Sequence, residues 1–315
     1  MFQFILKRCL LMIPTLLGVT IIVFLMLQIV PGDPVNTILP ADATEEDRLR
    51  VEQELGLDQP LVVQYLSWLG RTLEGDFGRS IIKQLEVGTL LFDAMKNTFI
   101  LAIGAAFFSF ILSLIIGVYS AYHPKSWIAS FGNMIGLTGV SIPNFWAALL
   151  LIGLFSVILG WLPSTGMSGV GGGGGSFDML KHMILPSIAA GMTTLGVMTR
   201  MIRSTVIDLL QKDFVITLKA KGASSYIILM HVLKNCTPTI LTVAGLQFGY
   251  LIGGSVLVET VFSWPGVGQL IYQAISQRDF PIIQAGVLMV SIVFVLLNLM
   301  VDLLHAVIDP RVRHA

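Results

Sequence analysis

Three ionisable residues lie close to apolar stretches, where they could relay protons or ions: Glu259, Asp302 and His305. A carrier driven by protons or sodium needs such groups near the middle of the bilayer. Glu259 lies near the outer end of one predicted span, and the other two lie near the inner end of another. These positions favour structural roles, so an ion-coupled secondary transporter is only a distant alternative.

The glycine-rich stretch 169–175 contains a GxGxxG string, which in other contexts cradles phosphate. No Lys-Ser or Lys-Thr follows it and no strand–helix unit surrounds it, so we interpret it as a flexible linker. The chain has no P-loop, so any ATP must be bound by another polypeptide. Cys9 and Cys236 are too few for a disulfide framework, and no Cys/His/Asp group has metal-ligand spacing. The sequence predicts neither a catalytic nor a metal site.

The loop 204–235 has the pattern of a short helix closed at both ends. Asp213 is of a type that caps a helix start, and Phe214 and Leu218 are four residues apart and share a face. Gly222 suits the left-handed conformation that ends such a helix. We expect Phe214 and Leu218 to form an apolar knob that faces water unless something covers it.

Charges and a second cap extend this pattern. Lys219 and Lys221 lie at the partially negative end of the predicted helix, where cations are favourable. Ser224 or Ser225 can cap a following helix at Tyr226–Lys234. The short helix is either a docking element for a partner protein or an interfacial helix on the lipid headgroups.

The composition is that of a membrane protein. Of 315 residues, 55% are hydrophobic and 12% charged, with a mean hydropathy of +0.83 and a net charge of +0. Soluble domains carry about 25% charged residues, so this chain lacks the material for a water-facing surface. This excludes a soluble enzyme, a disordered tail and a nucleic-acid-binding protein.

Long apolar runs predict an all-α membrane protein. A helix needs about 20 apolar residues to cross a bilayer core of about 30 Å. The first run is too long for a cleaved signal peptide, and Pro143 should kink or break the third. Six transmembrane helices are predicted, at Cys9–Val30, Thr98–Ala121, Phe131–Trp161, Met183–Arg200, Thr237–Phe262 and Ile282–Val307.

The distribution of Lys and Arg orients these spans. The basic residues cluster before the first span, in the second-to-third loop, between spans four and five and at the C-terminus: Lys7, Arg8, Lys125, Arg200, Arg203, Lys212, Lys219, Lys221, Lys234, Arg311 and Arg313. With six spans all four segments fall on one side, which we predict to be the cytoplasm. Both termini are then cytoplasmic in a multi-pass membrane protein.

The same topology divides the chain into three parts. Residues 1–30 form the N-terminal cytoplasmic end and the first span, and residues 31–96 form an acidic outward segment. Leu61–Leu73 has helical spacing, so this segment is predicted to be a small helical subdomain. Residues 97–315 carry the other five spans and the loop 204–235.

Small residues recur every four positions in two spans. Gly245, Gly249 and Gly253 do so in span five, and Ala105, Ser109, Ser113 and Gly117 in span two. Such a stripe lets helix backbones approach closely. The alternative is scatter, because glycine is common in membrane helices.

The loop sequence Ile216–Ala223 resembles the cytoplasmic EAA loop of binding-protein-dependent ABC importer permeases. The name-giving Glu-Ala-Ala is replaced by Ile216, Thr217 and Leu218, but the stretch is close to the Thr-Ala-Arg-Ala-Lys-Gly variant of the dipeptide/oligopeptide/nickel branch. Further motifs of that branch occur in order along the whole chain, at 30–35, 55–61, 75–78, 160–163, 259–268, 278–281, 301–304 and 309–311.

The resemblance implies a type I ABC importer permease fold and a non-enzymatic permease subunit without a cofactor of its own, located in a bacterial inner membrane. Two ATPases carrying ATP and Mg would lie beneath it, a second homologous permease beside it, and a solute-binding protein outside. The substrate would be small peptides, dipeptide, oligopeptide or glutathione-like, with nickel or a metal chelate as the alternative. The residues that would couple to the ATPase are Asp213, Phe214, Thr217, Leu218, Ala220, Lys221, Gly222 and Ala223.

Overall fold

The described part of the fold is built from helices. The computed structural model describes residues 2–29, 44, 46, 48–50, 58–169 and 175–308. In order, the elements are α1 (Phe2–Ile29), α2 (Leu61–Leu73), α3 (Val87–Tyr122), α4 (Trp127–Ser141), α5 (Asn144–Leu151), a π-helix (Ile152–Ile158), α6 (Gly175–Leu210), α7 (Asp213–Ala220), α8 (Ser225–Gly253), α9 (Val256–Val261), α10 (Val267–Gln277) and α11 (Phe280–Ile308).

The long helices have the length and polarity of membrane spans. Within the described ranges, α3, α6, α8 and α11 are long and apolar enough to cross a bilayer. A further candidate is bent: α4 forms its first half, and α5 with the π-helix forms its second half. If the two halves are taken as one span, it is the fifth. The apolar stretch of α1, Leu10–Met26, is shorter. The all-helical membrane fold is confirmed, with four or five spans of the six predicted.

The third predicted span is broken at Pro143, as expected from its missing N–H. Ile142 and Pro143 have extended backbones, and the two halves meet at an angle of 111°. The second half continues from α5 into the π-helix, in which Leu159 N donates to Leu154 O at 3.0 Å. Nothing in the sequence analysis indicated the π-helix.

Close packing of α3 against α6 forms the centre of the bundle. A Cβ on Gly191 would be 3.0 Å from the carbonyl oxygen of Ala105, and one on Gly117 would be 2.9 Å from Cβ of Ile202. Ala105, Ser109 and Gly117 are all buried. The small-residue stripe of α3 therefore lies at a tight helix crossing.

Two apolar clusters lie at opposite ends of α3. One contains Val87 and Leu91 with residues of α8 to α11 such as Phe262, and defines what we call the outer end. The other contains Ala121 with residues of α6, α7 and α8 such as Val215, and defines the inner end. Because α3 has 36 residues, these ends are about 50 Å apart.

The N-terminal helix is attached along one side of the bundle. Thr20 Oγ1 and Tyr65 Oη of α2 are 2.9 Å apart, and the rings of Phe24 and Tyr65 meet edge to face at 5.5 Å. At the inner end, Arg8 Nη1 is 2.8 Å from Asp302 Oδ2. The pair gives Asp302 a structural role at the place where the sequence predicted one.

Several helix bounds differ from the predicted ones. The structure extends the second and fourth predicted spans into helices of 36 residues, α3 and α6, so the domain boundary at residue 96 falls within α3. The fifth span ends at Gly253 instead of Phe262. Polar residues at helix ends hid these extensions, because hydropathy marks the apolar part of a helix and not its ends. The motifs at 30–35 and 309–311, residues 55–57 of the motif at 55–61, Val170 with the glycines 171–174, and Arg313 lie outside the described residues.

Candidate functional site

The helix α7 lies between α6 and α8 at the inner end, with its start uncapped by a side chain. The N-cap residue is Lys212, and it makes no side-chain capping bond. The prediction that Asp213 caps the helix is wrong, because Asp213 is already its first helical residue. There its negative charge still favours the positive end of the helix dipole, and its carbonyl oxygen accepts a 2.9 Å bond from Thr217 Oγ1.

The apolar face of α7 packs on the protein itself. Val215 is fully buried, and Phe214 and Leu218 are half-buried against the inner apolar cluster. The prediction of a water-facing knob of Phe214 and Leu218 is therefore wrong. The sequence pattern located the apolar face correctly but could not indicate that α6 and α8 cover it.

The opposite side of α7 is exposed and forms a continuous patch. Ile216 is 60% exposed and is the large apolar side chain of this patch. We call the set the α7 surface, and it consists of Ile216, Thr217, Lys219, Ala220 and Lys221. Ala223, the last residue of the resemblance, is half-buried and packs with the inner cluster.

The end of α7 is a Schellman motif, which fixes how the chain enters the next helix. Gly222 has a φ of +74°, its N–H donates to Lys219 O at 3.0 Å, and Ala223 N–H donates to Leu218 O at 3.0 Å. A Cβ on Gly222 would meet no atom within 4 Å. The requirement for glycine is therefore conformational and not one of space.

The following helix starts at the predicted cap but does not stop where predicted. Ser224 Oγ accepts from Ile227 N at 3.4 Å, which selects Ser224 over Ser225. The predicted helix Tyr226–Lys234 is not separate, because α8 continues through Pro238 to Gly253. The α7 loop is therefore joined directly to a membrane-spanning helix.

The glycine stripe of α8 makes close contact at two of its three positions. A Cβ on Gly245 would be 2.2 Å from Val301 Cγ2, and one on Gly249 would be 3.0 Å from Phe294, both on α11. Gly253 has no atom within 4 Å of that position. The stripe thus packs on α11 but ends before Gly253.

The outer end contains a buried carboxylate, Glu259, with 0% exposure. Its Oε1 accepts from Thr98 Oγ1 and Ser255 Oγ at 2.8 Å each, and its Oε2 accepts from Gln269 N at 3.0 Å. Burial raises the pKa of this carboxyl, while these hydrogen bonds and one from the backbone of Gly268 lower it. The carboxylate ties α9 to α3 and to the first turn of α10.

A second buried acid, Asp279, lies in the connection between α10 and α11. Its Oδ2 accepts from Ser80 Oγ at 2.5 Å and from Ile82 N at 3.3 Å, and its Oδ1 accepts from Ile81 N at 3.3 Å. It fixes the loop before α3 to the outer end. We call Glu259, Asp279 and the groups that bond them the outer polar knot.

The burial of Asp279 and the partners of both acids were not predicted from the sequence. A structural role for Glu259 was predicted from its position, but its partner Thr98 is 161 residues away in sequence. The available signal was a lone acid in an apolar segment, directly before a helix. Over the described part of the chain, no group of three His, Cys, Asp or Glu residues is placed to hold a metal ion.

Comparison with known proteins connects this architecture to one family. Residues 1–102 match the family model "Binding-prot-dependent transport system membrane comp, N-term", and residues 113–314 match "Binding-protein-dependent transport system inner membrane component". Together they cover nearly the whole chain, including the α7 loop and the outer polar knot.

Curated relatives match over their full length. The glutathione transport system permease protein GsiC of Salmonella typhimurium (strain LT2) is 40% identical over 315 residues, with all of both chains covered. The dipeptide transport system permease protein DppB of Alkalihalophilus pseudofirmus is 38% identical over 333 residues, again with all of both chains covered.

The fold has a counterpart among solved structures. A chain from "Inward facing conformations of the MetNI methionine ABC transporter" superposes with a TM-score of 0.55 at 18% identity, over 70% of this chain and 96% of that one. At this identity the likeness shows the fold alone. From the family matches and the full-length relatives we conclude that the chain belongs to the family of inner membrane permease components of binding-protein-dependent transport systems, a non-catalytic family without bound cofactors.

Proposed function

We propose that the chain is the permease subunit of an ATP-driven importer that passes glutathione or small peptides from a solute-binding protein into the cytoplasm. It pairs with a second homologous permease and rests on two ATPase subunits, which hold ATP and Mg. The names of the relatives at 40% and 38% identity support this substrate class. Nickel or a metal chelate is the alternative cargo.

The observation that carries the coupling role is the α7 surface. The apolar residues that would lie in lipid headgroups, Phe214, Val215 and Leu218, are used inside the protein. Ile216 remains exposed on a short helix whose end is fixed by the Schellman motif at Gly222. A fixed helix with one exposed apolar residue among polar neighbours favours docking in a protein cleft over an interfacial position.

The proposed topology has six spans: the four long helices, the bent pair counted as one span, and α1. The apolar part of α1 is 17 residues long at Leu10–Met26, about 26 Å, and its flanking residues are part of the same helix. The basic loops then face the cytoplasm, so the α7 surface meets the ATPases and the outer polar knot faces the binding protein.

Transport by the reconstituted importer tests the coupling role. Ile216→Asp places a charge at the centre of the α7 surface and should reduce peptide uptake at least tenfold, with the ATPases no longer co-purifying. Gln211→Asp adds the same charge just before α7, at another exposed position, and is the matched control with near-normal uptake. Normal uptake and normal co-purification of Ile216→Asp would contradict the coupling role.

The same preparation tests the substrate and the division of labour. The purified chain alone should not hydrolyse ATP, since it has no nucleotide motif. Uptake of radiolabelled glutathione or dipeptide by the complete importer supports the peptide class. Uptake of nickel without uptake of either peptide would replace it with the metal alternative.

Cysteine labelling tests the topology. In a background with Cys9 and Cys236 replaced by alanine, Gln277→Cys at the outer end should react with an impermeant thiol reagent applied to intact cells. Gln211→Cys at the inner end should react only after lysis, since both side chains are exposed. The reverse pattern would overturn the orientation.

A further inference from the structure

Two side-chain amides in the middle of the bundle are held by neighbouring threonines. Thr193 Oγ1 donates to Asn144 Oδ1 at 2.8 Å, and Thr194 Oγ1 donates to Gln247 Oε1 at 3.2 Å. The amides come from α5 and α8, and both threonines from α6 between them. We call Asn144 and Gln247 the amide pair.

The amide pair lies at the depth of the bilayer centre. Thr193 and Thr194 are at the middle of the 36-residue α6, about 25 Å from either end. Asn144 is the first residue of α5, directly after the break that divides a predicted span into two halves. Gln247 is on α8, six residues before its end at Gly253, about 9 Å along the helix.

Both amides have their oxygen engaged and their nitrogen available. Among the residues that the structure describes, neither Asn144 Nδ2 nor Gln247 Nε2 donates a hydrogen bond. The threonine bonds fix each oxygen toward α6, so each NH₂ group is directed away from it. Each amide therefore offers an NH₂ group with two donors, while one lone pair of its oxygen is used by the threonine.

These donors are unsuited to contact with lipid. Both residues are half-exposed on the isolated chain, and an unsatisfied amide in hydrocarbon costs several kcal/mol. The extended backbone at Ile142 and Pro143, beside Asn144, is tolerated at this depth only against protein or a water-filled cavity. Both observations indicate that each amide faces an aqueous path or is covered by protein.

We propose that each member of the amide pair is a cargo contact, whose N–H group binds a carbonyl or carboxylate oxygen of a peptide during its passage. This inference rests on the proposed peptide import. Two neutral donors without a cation bind such oxygens weakly, which suits a site that cargo must leave as readily as it enters. Thr193 and Thr194 are positioning residues that keep the donors directed at the cargo.

The test is uptake by the complete importer in proteoliposomes, with a dipeptide and with its C-terminal amide as cargo. Asn144→Asp and Gln247→Glu replace a donor by a carboxylate, which repels the carboxylate of the cargo. We expect uptake of the free acid to fall at least tenfold relative to wild type and uptake of the amidated peptide to fall less than threefold. Dividing by wild-type uptake of the same cargo cancels the preference of the binding protein.

A matched control and a second variant distinguish the loss of a cargo contact from misfolding. Asn235→Asp makes the same chemical change on α8 at an exposed position near the inner end, and both uptake ratios should stay near one. Asn144→Leu removes the donor without adding charge, and should lower uptake of both cargoes by a similar factor of less than threefold. ATPase activity stimulated by the binding protein should persist in every variant.

The outcomes separate this inference from the proposed function. If the wild-type importer carries neither cargo, peptide import is refuted and with it the peptide as ligand of the amide pair. If the wild type carries both and the acid variants lower both equally, the amide pair does not contact the cargo carboxylate and the inference is overturned. Loss of the second permease from the purified acid variants would instead assign the amides to the subunit interface, which also overturns it.

Discussion

The outer polar knot and the α7 loop are held in place by different kinds of interaction. In the knot, Glu259 and Asp279 are almost completely buried and each carboxylate oxygen accepts at least one hydrogen bond. The α7 loop is held by apolar packing of Phe214, Val215 and Leu218. Hydrogen bonds are directional and define one geometry, whereas apolar contact is roughly proportional to area and tolerates small displacements.

The two ends also differ in their buried polar atoms that lack a hydrogen-bond partner. Six buried side-chain N or O atoms lack a partner over the described residues, and four of them are in the inner halves of α3 and α6. These four are Ser120 Oγ, Tyr122 Oη, Thr199 Oγ1 and Arg203 Nε. The outer end is therefore specified by polar groups that have their hydrogen-bond partners. The inner end retains polar groups that another arrangement of the helices could supply with partners.

Removing the central carboxylate of the knot should have the largest effect. Glu259→Ala leaves the hydroxyl of Thr98 and the N–H of Gln269 without an acceptor, and leaves Ser255 Oγ with only its 3.4 Å bond to Ile252 O. Each buried donor without a partner costs about 1–3 kcal/mol. We expect a total loss of about 3 kcal/mol or more, seen as low yield and an early melting transition in detergent. Glu259→Gln retains one acceptor and should be intermediate. A melting temperature of Glu259→Ala equal to that of the wild type would contradict the claim that hydrogen bonds to this carboxylate specify the outer end.

The second acid allows the knot to be measured as a pair. Asp279→Ala should lower stability by about 2 kcal/mol and Ser80→Ala by about 1 kcal/mol, because the remaining partner stays buried. The double variant should lose less than the sum, with a coupling energy of about 1 kcal/mol. Additive melting shifts would show that the 2.5 Å bond contributes nothing specific.

The glycine stripe of α8 offers a matched pair between the two ends. Gly245→Ala forces α8 away from Val301 on α11 and should cost about 1–2 kcal/mol. Gly253→Ala adds the same methyl into open space and should change stability by less than about 0.5 kcal/mol. Equal melting temperatures for the two variants would contradict the close approach of α8 and α11.

A small effect on stability, with a large effect on uptake, is expected at Gly222. Gly222→Asp places a non-glycine residue at a φ of +74° and a negative charge at the C-terminal end of α7, together about 1 kcal/mol. Membrane insertion should be intact while ATP hydrolysis no longer drives uptake. Gly222→Asn, similar in shape, uncharged and tolerant of this conformation, is the control that should retain coupling. Normal uptake by Gly222→Asp would contradict the distinction.

Local sequence signals predicted the parts of the fold that depend on neighbouring residues. The helix Leu61–Leu73, the break at Pro143 and the left-handed Gly222 follow from spacing, a missing N–H and a missing Cβ. The uninterrupted α8 was not predictable, because Pro238 and the polar residues before it resemble a boundary. Tertiary packing on α6 and α11 outweighs the weak local preference.

In the candidate functional site, too, only the features that depend on neighbouring residues were predictable from the sequence. The position of the α7 loop and the choice of its apolar face followed from the sequence, but the burial of that face depends on α6 and α8, which are distant or differently bounded in sequence. The amide pair gave no signal, since Asn144 and Gln247 are 103 residues apart and each bonds a neighbour that only the fold supplies.

The continuity of α8 has a mechanical consequence. Pro238 lacks the N–H that would close the helix, and it divides α8 into arms of about 20 Å toward Ser225 and about 22 Å toward Gly253. Because α8 is unbroken from Ser225 to Gly253, one helix of about 42 Å joins the α7 loop to the outer part of the bundle, and Pro238 is the position at which this connection can bend.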